Sequence, residues 1–158
     1  MIVIRHTTEI RASPEQIFEW LTNLNKNYRA WHPKDHIECR YIKGSLVERN
    51  SIVYFEQYLH EHLEKMKFKI TNVKPNSRIE YKIMFPYSLL GVGGSLTIEP
   101  SEAGSLFTTE VRLGGKNTLL ERLWDKFIQI FFGLRLEALK QHMSEEGHNL
   151  KRIMEKDI

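Results

Sequence analysis

The chain changes hydrophobic period twice, and this constrains its fold more than any other feature. Between Ile37 and Leu113 apolar residues recur every second position, while the segments on either side follow a helical period. The period-two region divides into Ile37–Lys43, Ser51–Leu59, His62–Val73, Arg78–Met84, Ser95–Glu99 and Ser105–Leu113. Turn signals separate these segments at Gly44-Ser45, His60-Glu61, Pro75-Asn76 and Pro100–Gly104, with a loop through Pro86 and Gly91–Gly94. Six strands in a row with no helix between them read as one antiparallel sheet. A further strand is read over Ile2–Arg11.

A helix start follows that first strand. Ser13 is placed to cap, Pro14 suits the first helical position, and Gln16 completes a capping box. Ile17, Phe18, Trp20, Leu21 and Leu24 supply the buried face, and a second short helix or irregular turn runs to Trp31, where Pro33 ends it. Beyond Gly114-Gly115 the helical period returns, with Gly133 expected to separate a shorter piece from a final helix over Leu134–Lys156. The expected fold class is α+β: one antiparallel sheet of about seven strands, short N-terminal helices and a long C-terminal helix, in one domain over residues 1–158. Only that last helix is long enough to cover the sheet's apolar face, and a space enclosed between rod and sheet is a ligand site by default.

Composition narrows the class. Hydrophobic residues make up 41% and charged residues 27%, so the chain can build a core and is not a disordered tract. The lone cysteine, Cys39, allows no internal disulfide and no thiolate cluster, which favours a reducing compartment. The first residues lack a signal-peptide pattern, and no apolar run reaches the ~20 residues of a membrane span, so a cytoplasmic protein is expected. The net charge of +3 is mild. Lys65, Lys67 and Lys69 alternate as on a solvated sheet face, and no nucleic-acid partner is expected.

Two segments could carry chemistry. Tyr28-Arg29-Ala30-Trp31-His32-Pro33-Lys34-Asp35-His36 crowds two histidines, an aspartate and two aromatics where the N-terminal helices meet the sheet. Its plain reading is a polar loop in which Trp31 plugs the core and the histidines are solvated. On the final helix His142 and Glu146 stand one turn apart on one face. Glu146 falls inside the apolar stripe of Leu136, Leu139, Met143, Leu150, Ile153 and Met154, with His142 on its border. Gln141, Ser144, Glu145, His148 and Arg152 occupy the other face. A carboxylate in such a stripe needs a partner. Either Arg135 or a lysine pairs it, or it joins histidine in holding a metal, for which zinc is suited. A sheet ligand would be Glu56 or its rival Glu64, depending on the hairpin. A three-residue turn, His60 to His62, points both inward, whereas a two-residue turn points Glu56 to solvent.

Other features read as structural. Gly91, Gly93 and Gly94 precede a strand rather than a helix and form no phosphate cradle. No Gly-x-Ser-x-Gly nucleophile motif occurs. Cys39 reads as packing, His60 and His62 as exposed turn residues, and Phe127, Ile128, Ile130, Phe131 and Phe132 as core, cavity wall or dimer face.

The element order, opened by Ala12-Ser13-Pro14-Glu15-Gln16-Ile17-Phe18, resembles the helix-grip proteins of the START/Bet v 1-like (SRPBCC) superfamily, also called polyketide cyclase/dehydrase-like. That resemblance implies a strongly curved sheet wrapped around the long helix and a cavity for a small hydrophobic or aromatic, polyketide-like molecule. The Tyr28…Trp31-His32-Pro33…Asp35-His36 run, a mid-sheet glutamate and the His142-x-x-x-Glu146 pair look like the zinc-dependent phloretin and diacetylphloroglucinol hydrolases. This closer resemblance implies a divalent metal, zinc, on His36, Glu56, His142 and Glu146, with His32 the rival of His36 as the loop ligand. Tyr28 would then be the partner of a substrate hydroxyl, and the reaction would be hydrolytic carbon–carbon bond cleavage. His32 would be placed to shuttle a proton. Competing expectations are a metal-free carrier or sensor of lipids or aromatics, and a co-chaperone-like domain that binds a partner through the basic sheet face. A homodimer is compatible with each.

Overall fold

In the computed structural model of the protein, residues 1–114 and 119–156 are described. Within the last helix the side chains of residues 119–121, 124, 125 and 127–135 lie outside that description. Strand β1 (Ile2–Ile10) leads into helix α1 (Pro14–Thr22), which starts at the predicted box. Ser13 Oγ accepts from the Gln16 amide at 3.2 Å, and Gln16 Oε1 accepts from the Ser13 amide at 2.8 Å, so two free amides are satisfied reciprocally. Helix α2 (Leu24–Trp31) follows immediately and buries Leu24, Tyr28 and Trp31.

Six strands then run in succession: β2 (His36–Lys43), β3 (Ile52–Leu59), β4 (His62–Lys74), β5 (Arg78–Ile83), β6 (Gly93–Pro100) and β7 (Ser105–Leu113). They form one antiparallel sheet in the order β1-β7-β6-β5-β4-β3-β2. The two edges are therefore β1 and β2, and helices α1 and α2 carry the chain from one edge to the other. Helix α3 (Leu119–Glu155) packs chiefly on β1 and also touches β7, β3 and α2. It runs unbroken through Gly133, contrary to the break expected there. One interior glycine costs only ~1 kcal/mol relative to alanine, too little to end a helix of 37 residues. Where α3 crosses β1 the contact point is Gly147, whose absent side chain lets the helix lie on Thr8 and His6.

The core lies between sheet and helices, with Ile10, Ile17, Leu21, Ile70, Phe107 and Leu150 fully enclosed. Cys39 belongs to it, and burial first, then Glu38, pushes its thiol up to about 12, so it packs as an inert hydrophobe. The expected aromatic cluster at Phe127, Ile128, Ile130, Phe131 and Phe132 lies outside the described side chains. Among the described residues no helix is long and apolar enough to cross a membrane.

Candidate functional site

The hairpin between β3 and β4 decides which carboxylates face inward. Leu59 pairs with His62, so His60 and Glu61 alone make the turn. Glu56 consequently stands opposite Lys65 on the outer face, where it accepts a hydrogen bond from the Tyr54 hydroxyl at 3.0 Å. This corrects the expectation that Glu56 joins the histidines: the side-chain period of two turns it away from them. The inward row instead runs His36, Gln57, Glu64 across β2, β3 and β4. Glu64 shares a short hydrogen bond with the Tyr87 hydroxyl at the edge of the cavity.

His36 enters this row through a bulge. It pairs with Gln57 while Glu38 pairs with Glu56, so Ile37 is an extra residue on the edge strand. The bulge aims His36 inward while Glu38 stays outside. Both loop histidines are buried, at 3% exposed for His32 and 2% for His36, against the reading that they are solvated. Trp31 does plug the core, and its indole N–H donates to the Glu146 carbonyl at 3.0 Å, tying α2 to α3.

Three donor atoms converge between loop and helix. His36 Nε2 lies 3.2 Å from His142 Nε2 and 2.9 Å from Glu146 Oε1, and the latter is 3.2 Å from His142 Nε2. The other ring nitrogens are already committed. His36 Nδ1 sits 2.8 Å from the Tyr28 carbonyl, which only accepts, so this nitrogen carries the proton. His142 Nδ1 likewise faces Asp35 Oδ2 at 3.2 Å. With both Nδ1 atoms protonated, neutral rings turn two bare Nε2 lone pairs and a carboxylate oxygen on one point. Such a cluster must take up a cation, either a proton or a metal.

The metal-free answer is a proton. Burial opposes charge on His142, but the Glu146 and Asp35 carboxylates outweigh it and raise the imidazole to about 9. Burial likewise works against the Glu146 anion, and His142 and His36 more than offset it, holding the carboxyl well below its usual range. No arginine or lysine is described as an ion-pair partner of Glu146, and the Arg135 side chain lies outside the described residues. The metal answer fits the geometry. Donors about 2.0–2.1 Å from a tetrahedral zinc ion lie roughly 3.3–3.4 Å apart. Two of the observed separations, at 3.2 Å, nearly match this and the third, at 2.9 Å, is a few tenths of an ångström shorter, and the cluster borders the cavity, where a fourth position would open. The Nδ1 contacts to a carbonyl and a carboxylate are also the outer-shell contacts that fix ligating imidazoles.

A second set of contacts reaches the surface. His32 Nε2 lies 2.7 Å from Glu145 Oε2 and 3.6 Å from Asp35 Oδ2, and its ring stacks on that of His142 at 4.7 Å. Its Nδ1 accepts from the Asp35 amide. Asp35, Glu145 and Gln57 were given no role by the sequence. Asp35 lies within the segment singled out, whereas the helical period puts Glu145 on the outer helix face and Gln57 carries no signal beyond strand alternation.

Beside the cluster, sheet and helix enclose a cavity of about 210 Å³ lined mainly by apolar side chains. A continuous row of rings forms one wall: Tyr28 to Phe55 at 5.2 Å, Phe55 to Phe68 at 4.6 Å, and Phe68 to Tyr81 at 4.5 Å between centroids. Tyr28 also lies flat on His36 at 3.8 Å, and its hydroxyl donates to Gln57 Oε1 at 2.6 Å. Burial first, then Glu146, raises the Tyr28 phenol well above its ordinary value, so it remains a neutral donor.

A sequence model of the family described as "Polyketide cyclase / dehydrase and lipid transport" matches residues 1–144. No curated protein sequence matches the chain significantly. Among solved structures, the KanY protein (ms6282) has a TM-score of 0.71 at 13% identity, covering 98% of this chain and 97% of that one. Ara h 8.0201 has a TM-score of 0.58 at 14% identity, over 94% and 97% of the two chains. The di-domain ARO/CYC StfQ from the steffimycin biosynthetic pathway has a TM-score of 0.71 at 11% identity, covering 99% of this chain and 51% of StfQ. At such identities these likenesses establish the helix-grip fold.

Proposed function

The chain belongs to the polyketide cyclase/dehydrase and lipid transport family, and from that premise we propose that it binds a small hydrophobic or aromatic, polyketide-like molecule beside a divalent metal, zinc. The observation that carries the metal is the convergence of His36 Nε2, His142 Nε2 and Glu146 Oε1 while both Nδ1 atoms are spoken for. His36, His142 and Glu146 are the ligands, and Glu64 is the nearest inward carboxylate on the sheet row. A zinc ion held there supplies Lewis acidity toward a carbonyl or a water molecule, the chemistry of hydrolytic or carbon–carbon bond cleavage. Tyr28 orients a ligand oxygen through its neutral hydroxyl, with Gln57 fixing the phenol's position. His32, stacked on His142 with its Nε2 2.7 Å from the Glu145 carboxylate, is the group placed to shuttle a proton between the cluster and the surface. The ring-lined wall favours a flat ligand.

Elemental analysis of protein purified without an affinity tag tests the reading. About one equivalent of zinc, lost in His142→Ala, supports it. A metal-free protein that still binds apolar dyes in the cavity identifies a carrier or sensor, the reading the apolar lining supports alone.

A further inference from the structure

The cavity contains a polar group that nothing in the fold explains. Thr109, on β7, is 6% exposed, lines the cavity, and its Oγ1 has no hydrogen-bond partner among the described residues. An unmet buried hydroxyl is destabilising, and a threonine kept only for packing is replaceable by isosteric valine at no loss of contacts. Thr8, Ser45 and Ser101 are the other described side chains in this state, and none of them lines the cavity. Thr109 is thus the one of the four that lines the cavity.

Tyr81, on β5, lines the same cavity. Its hydroxyl forms no hydrogen bond among the described residues, and its ring ends the aromatic row that Tyr28 begins. Gly94 makes this placement possible: a Cβ there would sit 2.5 Å from Tyr81 Oη and 2.1 Å from the Glu110 carbonyl. The phenol therefore lies across β6 toward β7, where Gly94 faces Val111 and Thr109 follows two residues along on the same side. Burial first, then Glu146, raises the Tyr81 phenol, so it is a neutral donor.

We propose that Thr109 and Tyr81 form a second polar subsite, which recognises an oxygen function of the ligand other than the one held beside His36, His142 and Tyr28. Tyr28 and Tyr81 cap opposite ends of the ring row, with the donor cluster on the β2 side and Thr109 on the β7 side. The ligand class is then an aromatic molecule bearing a hydroxyl or carbonyl at each end. This inference rests on the cavity being the ligand site, as proposed above, and does not need the metal.

The test uses two matched probes, para-hydroxybiphenyl and para,para′-biphenol, titrated calorimetrically into the full chain. The wild-type protein is expected to prefer the biphenol by about fivefold, the worth of one neutral hydrogen bond. Thr109→Val should remove the preference, while its melting temperature rises in the absence of probe. Thr109→Ser should keep the preference, and Tyr81→Phe should weaken it. An undiminished preference in Thr109→Val, or a lowered melting temperature in that variant, overturns the subsite and leaves the cavity reading intact. Failure of both probes to bind wild-type protein overturns the cavity reading and the subsite with it.

Discussion

Asp35→Asn separates a structural cluster of histidines from one built to hold a metal. Asp35 does not itself line the cavity. It acts through His142, whose Nδ1 it meets at 3.2 Å, and it also lies 3.6 Å from His32. Asparagine keeps the shape and a carbonyl acceptor but removes the charge that makes the imidazole a stronger donor toward a cation. Loss of such an outer-shell carboxylate costs about 10–100-fold in metal affinity, or roughly 1.4–2.7 kcal/mol. Competition for zinc against a chromophoric chelator at fixed pH measures this directly. His142→Ala, which removes a ligand, should cost at least ten times more than Asp35→Asn, and Glu56→Gln should be neutral because Glu56 faces outward. Wild-type affinity in Asp35→Asn, or a loss in Glu56→Gln as large as in His142→Ala, would refute the assignment of inward and outward groups on which the site is built.

In the metal-free protein, a His142 imidazole raised from 6.5 to about 9 adds stability that is fully present below pH 6.5 and lost as pH rises through 9. The difference amounts to at most about 3 kcal/mol, read by urea unfolding across that range, and it should shrink in Glu146→Gln. Zinc must displace that proton, so its apparent affinity should climb with pH up to about 9 and flatten above; an affinity independent of pH between 6.5 and 9 would contradict the shared proton. Gly147→Ala places a Cβ 2.3 Å from Thr8 Oγ1 and 2.8 Å from His6 Cδ2, and the overpacking should destabilise by about 1–3 kcal/mol despite the better helix propensity. Thermal melting checks it, and a neutral result would mean that α3 does not rest on β1 at this point.

Local chemistry made most of the fold legible. The capping box needs only Ser13 and Gln16, and strand alternation needs only nearest neighbours, so α1 and the six successive strands stand within a residue or two of where the sequence puts them, β6 starting at Gly93 inside the expected loop because glycines carry no alternation to read. The half of the site on α3 was legible for a different reason. A carboxylate within an apolar stripe carries an energetic cost that some partner must offset, and the chain declares that cost at Glu146 whatever the partner proves to be. The sheet half was not legible, because it hangs on one backbone angle. His60 takes φ 57°, a left-handed conformation that glycine or asparagine usually signals, and a histidine there gives no sign that the turn is two residues long. That single residue of register exchanges Glu56 for Gln57 on the inner face, while Glu64 stays inward in either case. The same limit applies to Asp35, Glu145 and Thr109. Their significance lies in which atoms meet or fail to meet across the fold, and a pattern along the chain encodes where a side chain points long before it encodes what waits for it there.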